Sequence, residues 1–237
     1  MGGRGLILGL VLAVTAAPCT AETVADIVFA TRPAQAAYDR DAFGGNPFAT
    51  ALIEILDARL DEDLAFELEV RTGLHSAGQQ VADASRLVHD DTLLFNDDTG
   101  AVALVMVFAD YGDDRELASL PGAAFDAARV AAALERKGVP TRSVVARTAD
   151  QYRRELADFA LRSAGSKRAL LYTTGHGIAP AGAVQLLAPD VETTRSGRNA
   201  IALEEISGAL QATERNLLLY AACRDDLTLE EFLGRAG

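Results

Sequence analysis

Residues 168–180 read RALLYTTGHGIAP, and residues 215–226 read RNLLLYAACRDD. Each is an apolar run that breaks off abruptly, the first at a histidine between two glycines, the second at a cysteine. Runs so uniformly apolar predict strands buried on both faces, the pattern of a parallel sheet. Neighbouring segments fit the same scheme. AVALVMVFAD (101–110) predicts a strand, and GAAFDAARVAAALERKG (122–138) an amphipathic helix stopped by Gly138. TRSVVART (141–148) predicts a strand and DQYRRELADFALRSAG (150–165) a helix. Strands at 168–174, 184–188 and 215–222 and a helix near 203–213 complete the series. The expected fold class is α/β, a three-layer sandwich whose mostly parallel central sheet carries helices on both faces. In such sheets the site lies beyond the carboxyl ends of the strands, so His176 and Cys223 can converge there.

The chain before residue 100 reads differently. ADIVFAT (25–31) predicts a buried strand. NPFATALIEILDARL (46–60) predicts a helix with Pro47 in its first turn, and DEDLAFELEVRTG (61–73) a second helix with an acidic start and a glycine stop. Residues 74–100 are polar and contain the turn signal NDDTG, with a short strand expected within QQVADASRL (79–87). The first 21 residues, with one arginine, an apolar run from Leu6 to Val14 and small residues up to Ala21, have the pattern of a secretory signal peptide. The apolar run is too short to span a bilayer. The expected mature chain is therefore residues 22–237, exported to the periplasm or secreted and free of the membrane once cleaved after Ala21. It is read as a single domain made of a segment 22–87, a linker 88–100 and a segment 101–237.

The net charge of −12 argues against nucleic acid and anionic membrane surfaces as partners, because both require clustered cations. Cys19 would leave with the signal peptide, so Cys223 would be the sole cysteine of the mature chain. It is then either a buried small hydrophobe or a reactive thiol. One cysteine and three scattered histidines form no ligand cluster, and neither a metal nor a cofactor is expected. His75 and His89, in the polar stretch, are read as solvated.

His176 and Cys223 suit one chemistry in particular. A thiol attacks as its thiolate, and a nearby imidazole takes its proton. The oxyanion formed on the attacked carbonyl needs backbone N–H donors in place beforehand. The N–H groups of Gly177 and Cys223 are the candidates, since Gly177 has no side chain to obstruct an approach.

LLYTTGHG followed by LLLYAACRDD resembles the caspase-like cysteine peptidases of the C14 group, and more closely their metacaspase and bacterial caspase-homologue branch. LPGAAFDAARVAAALERKGVPTR (120–142) looks like the family's first helix, and VQLLAPD (184–190) like the strand after its histidine loop. The resemblance implies a caspase-like fold, with His176 as general base and acid, Cys223 as nucleophile, and hydrolysis of peptide bonds in a peptide or protein substrate.

A caspase-like domain continues well beyond its cysteine strand, yet only RDDLTLEEFLGRAG follows Cys223 in this sequence. DIVFATRPAQAAYDRDAFGGNPFATALIEIL (26–56) looks like that continuation, and RTGLHSAGQQVADASRL (71–87) like the family's C-terminal end. The chain is therefore read as a circularly permuted caspase-like domain, with its original ends joined through the 88–100 linker. The new ends are expected near the site, making the peptidase competent without further cutting. Two acidic positions shape a basic P1 pocket in the metacaspase branch. Asp126 matches one of them, a substrate-binding position, while Ala221 stands where the other would be, which leaves a preference for Arg or Lys open. The same residues are compatible with an inactive caspase-fold interaction protein, or with another Cys–His hydrolase or acyltransferase.

Overall fold

The structure is a computed structural model that describes residues 25–58, 63–87, 100–112, 117–191 and 199–236. The expected signal peptide, His89 and residues 88–99 of the expected linker lie outside the described residues. In chain order the elements are β1 (Asp26–Phe29), α1 (Pro47–Ala58), α2 (Leu64–His75), β2 (Asp83–Arg86), β3 (Ala101–Phe108), α3 (Pro121–Arg136), β4 (Thr141–Ala146), α4 (Ala149–Ala164), β5 (Arg168–Thr174), β6 (His176–Ile178), β7 (Gln185–Leu187), β8 (Ala200–Ala202), α5 (Leu203–Ser207), β9 (Arg215–Tyr220) and α6 (Leu229–Ala236).

The main sheet has six strands in the order β2-β1-β9-β5-β3-β4. All neighbours are parallel except β1 and β2. The alternation of side chains along each strand sorts the core into two layers. Leu170 and Tyr172 of β5, Leu217 and Leu219 of β9 and Val28 of β1 pack with Phe48 and Leu52 of α1, Leu68 of α2 and Val130 and Leu134 of α3. Leu171, Leu218, Tyr220 and Phe29 point the other way and pack with Tyr152 and Phe159 of α4 and Ile206 of α5. Each fully buried side chain of this size contributes roughly 1.5–3 kcal/mol. This double burial is why the strands read as unbroken apolar runs. The protein is thus a mixed α/β structure with a mainly parallel sheet flanked by helices.

The N-terminal segment belongs to this sheet. β1 runs parallel to β9, with Phe29 opposite Tyr220, and β2 closes the edge beside β1. The expected ends of the mature chain, Glu22 and Gly237, lie outside the described residues. Asp26 sits beside Leu217, so the chain enters β1 at the end of the sheet opposite Cys223.

Two features differ from the expectations. A small antiparallel sheet, β6-β7-β8, grows directly from the histidine, and the strand expected at 184–188 belongs to it as β7 instead of joining the main parallel sheet. The helix expected near 203–213 stops at Ser207. Beyond it the chain turns back toward β9, and the buried Asn216 side chain clamps both the N–H and the carbonyl of Ala212 at 2.9 and 3.0 Å.

Candidate active site

The two signature strands lie side by side and end together. β5 and β9 are in register up to Thr173 opposite Tyr220. Beyond that pair, the Thr174 hydroxyl donates to the Ala221 carbonyl at 2.8 Å and ties the two strand ends. His176 and Cys223 then line one cavity of about 130 Å³. Gly177 is needed for this convergence. A Cβ there would collide with the Cys223 carbonyl and stand 2.7 Å from the Tyr220 hydroxyl. Gly177 is buried beside Cys223, while the cavity wall next to His176 is formed by Gly175.

His176 is held from three sides. Its backbone N–H donates to the Tyr111 hydroxyl at 2.9 Å, which itself donates to the Leu187 carbonyl at 2.9 Å. Its Nε2 lies 2.8 Å from the Ala118 carbonyl. A carbonyl only accepts, so Nε2 carries the hydrogen and the lone pair of the neutral ring is on Nδ1. The ring meets Tyr111 edge-on at 4.6 Å and Phe232 of α6 at 5.9 Å. Burial under these rings lowers the imidazole pKa, against the opposing pull of the Ala118 carbonyl and Asp39.

Cys223 is covered by a loop from the far N-terminal segment. The Ala37 N–H donates to its sulfur at 3.1 Å, and the thiol faces the Ala37 carbonyl at 3.8 Å. Burial raises the thiol pKa, and the Ala37 N–H works against that rise. Arg224, the next residue, is buried, pairs with Asp83 of β2 at 2.7 Å, donates to the Thr31 carbonyl and lies over the Phe29 ring. It clamps the end of the cysteine strand to the N-terminal strands.

Asp126 also lines the cavity, fully buried. One carboxylate oxygen accepts the Asn46 N–H at 2.8 Å and the other meets Arg129 at 3.3 Å. Burial pushes its pKa up to about 7, with Asp41 and Asp39 adding to the rise. Asp39 is a second acid on the cavity wall that the sequence reading missed. Its carboxylate accepts the N–H groups of Gly122 and Ala123 at 3.0 and 3.1 Å, capping α3, whose own N-cap Leu120 has no side-chain hydrogen bond. No local pattern announces a cap supplied from 83 positions away. Ala37, Tyr111 and Ala118 were missed for the same reason. Phe232 was detectable in principle: Thr228 and Glu231 form a reciprocal capping box that starts α6.

His75 is not simply solvated. It is half-buried at the end of α2, 3.1 Å from Glu54 and edge-on to Phe43. Among the described residues, no group of three or more His, Cys, Asp or Glu side chains is placed to hold a metal ion.

Strand ends that present a histidine and a cysteine to one cavity define a candidate thiol hydrolase. Residues 101–235 match the family model of the peptidase C14 caspase domain, and the chain belongs to this family of cysteine peptidases. No curated protein matches the chain.

Proposed function

We propose that the protein is a cysteine endopeptidase acting through a Cys223–His176 dyad. The observation that carries this reading is the shared cavity, in which the imidazole is oriented by the Ala118 carbonyl with Nδ1 left to take a proton. In the proposed reaction the Cys223 thiol passes its proton to His176 and the thiolate adds to the substrate carbonyl carbon. The oxyanion is held by the N–H groups of Gly177 and Cys223. His176 then returns the proton to the leaving amine, and water, activated by the same imidazole, hydrolyses the thioester.

The substrate is a peptide or protein with Arg or Lys before the scissile bond. Asp39 and Asp126 face the cavity, and no cation is among its described lining residues. Ala221 contributes no charge, so the preference rests on these two acids, both already hydrogen-bonded.

The domain is a circular permutation of the caspase arrangement. The family match begins at residue 101, yet residues 25–87 supply β1 beside β9, β2 at the sheet edge beyond it, and the loop over Cys223. Residues 1–21 act as a signal peptide, which makes the protein an exported, single-domain enzyme of residues 22–237. N-terminal sequencing of the protein secreted from an expressing cell checks that boundary, which is expected at Glu22.

The decisive experiment is cleavage of a peptide library by purified residues 22–237, with products read by mass spectrometry. Cleavage after Arg or Lys, absent in both Cys223→Ala and His176→Ala, is the expected result. Cleavage that persists in either variant removes that residue from the dyad.

A further inference from the structure

The contact between Ala37 and Cys223 is built, not incidental. The peptide joining Ala37 to Tyr38 presents its carbonyl to the sulfur and its N–H to the Gln80 side chain, whose Oε1 accepts it at 2.9 Å. Gln80 is fully buried. Its Nε2 donates to the Ala30 carbonyl at 3.1 Å and to Asn46 Oδ1 at 3.2 Å. Asn46 in turn donates to the Tyr38 carbonyl at 2.7 Å. Every polar atom of the Gln80 side chain is therefore engaged with this loop or its anchors. A buried amide is destabilising unless satisfied in this way, and once satisfied it holds its partners in one geometry.

We propose that Gln80 is a positioning residue that holds the Ala37 amide on the Cys223 sulfur, so that the N-terminal segment sets the reactivity of the nucleophile. The idea rests on the reading of Cys223 as nucleophile. An N–H aimed at sulfur stabilises the thiolate over the thiol; burial does the reverse, as does the Ala37 carbonyl, whose 3.8 Å contact is the weaker of the two that this loop makes. The geometry makes the N–H donation conditional on the loop, and the loop conditional on Gln80. Other charged or titratable groups surround the sulfur. His176, Asp39 and Asp126 lie across the cavity, Arg224 and Asp225 follow along the chain, and Tyr111 and Tyr220 lie behind. None of them is a hydrogen-bond partner of Gln80.

The test is the pH dependence of Cys223 alkylation by iodoacetamide in the intact 22–237 chain, which needs no peptidase turnover. Gln80→Leu removes the tether at similar volume. Its alkylation midpoint is expected to move up by about one pH unit, giving about tenfold slower labelling below the midpoint. Gln35→Ala is a milder second variant, because Gln35 braces the same loop from the surface through Gln79 and Val81. It is expected to move the midpoint in the same direction by less. Asn216→Ala, at the opposite end of β9, loses buried hydrogen bonds without touching the loop and controls for general destabilisation. Midpoints in both loop variants that match wild type, or that move no more than in Asn216→Ala, overturn the proposal. A normal shift in a protein that cleaves no peptide leaves the positioning role standing and overturns the peptidase reading alone.

Discussion

The backbone N–H of Ala37 points at the sulfur of Cys223 from 3.1 Å, across 186 positions of sequence. The residues that close the site over the cysteine come from the beginning of the described chain, through the strand that pairs with β9.

Cys223→Ala is expected to abolish peptide cleavage while shifting the melting temperature by only a few degrees. The sulfur makes weak hydrogen bonds, and alanine removes little volume. The checks are a calorimetric scan and the library assay. A loss of activity accompanied by loss of the cooperative transition would show that the thiol is structural.

His176 has its pKa lowered by burial, and the proposed base role requires its neutral form. The acid limb of kcat/KM is therefore expected below the ordinary imidazole value of about 6.5. Phe232→Ala opens one side of the ring to water. Hydration favours the charged imidazolium, so the pKa rises and the acid limb moves to higher pH. A pH–rate profile of the two proteins checks the direction, and a shift to lower pH would contradict it.

Asp126 titrates near 7 because it is buried, well above its ordinary range. A carboxyl raised on folding contributes stability that is present below its unfolded pKa and lost as pH climbs through the folded one. Wild type should therefore lose stability from about pH 4 to about pH 7 through this group. Asp126→Asn cannot ionise, so its melting temperature relative to wild type should rise between pH 5 and pH 8. A difference that stays flat over that interval would falsify the assignment.

Specificity offers a separate check on the same residue. If the field of Asp39 and Asp126 selects a basic P1 side chain, Asp126→Asn should lower kcat/KM for an Arg peptide by about tenfold, with less effect on its Gln counterpart. Equal losses on both peptides would assign Asp126 only to holding Asn46.

Tyr111→Phe removes the acceptor of the His176 N–H and the donor to Leu187. The orphaned Leu187 carbonyl is buried and the His176 N–H partly so, so a stability loss of about 1–3 kcal/mol is expected, with a fall in kcat larger than any change in KM. Denaturant melts and steady-state kinetics measure the two effects independently.

The sequence by itself determined the elements and the signature. Strands buried on both faces must be apolar at successive positions, so β3, β5 and β9 were legible from composition alone. The amphipathic stripes of α1, α3 and α4 were legible for a related reason, since each covers one face of the sheet. His176 and Cys223 were legible because each breaks such a run at a strand end. What the tertiary structure decided is everything that depends on register between distant segments. The parallel pairing of β1 with β9 sets Ala37 over Cys223 and Asp39 at the start of α3. Tyr111 and Ala118 orient the imidazole from a loop that carries no periodicity of its own. The placement of Asp26 opposite the site follows from strand direction, which no local pattern encodes. A short-range hydrogen bond leaves a spacing rule in the chain, as the Thr228–Glu231 box does. A backbone carbonyl or amide serving a side chain from across the sheet leaves none, because any residue type can supply it.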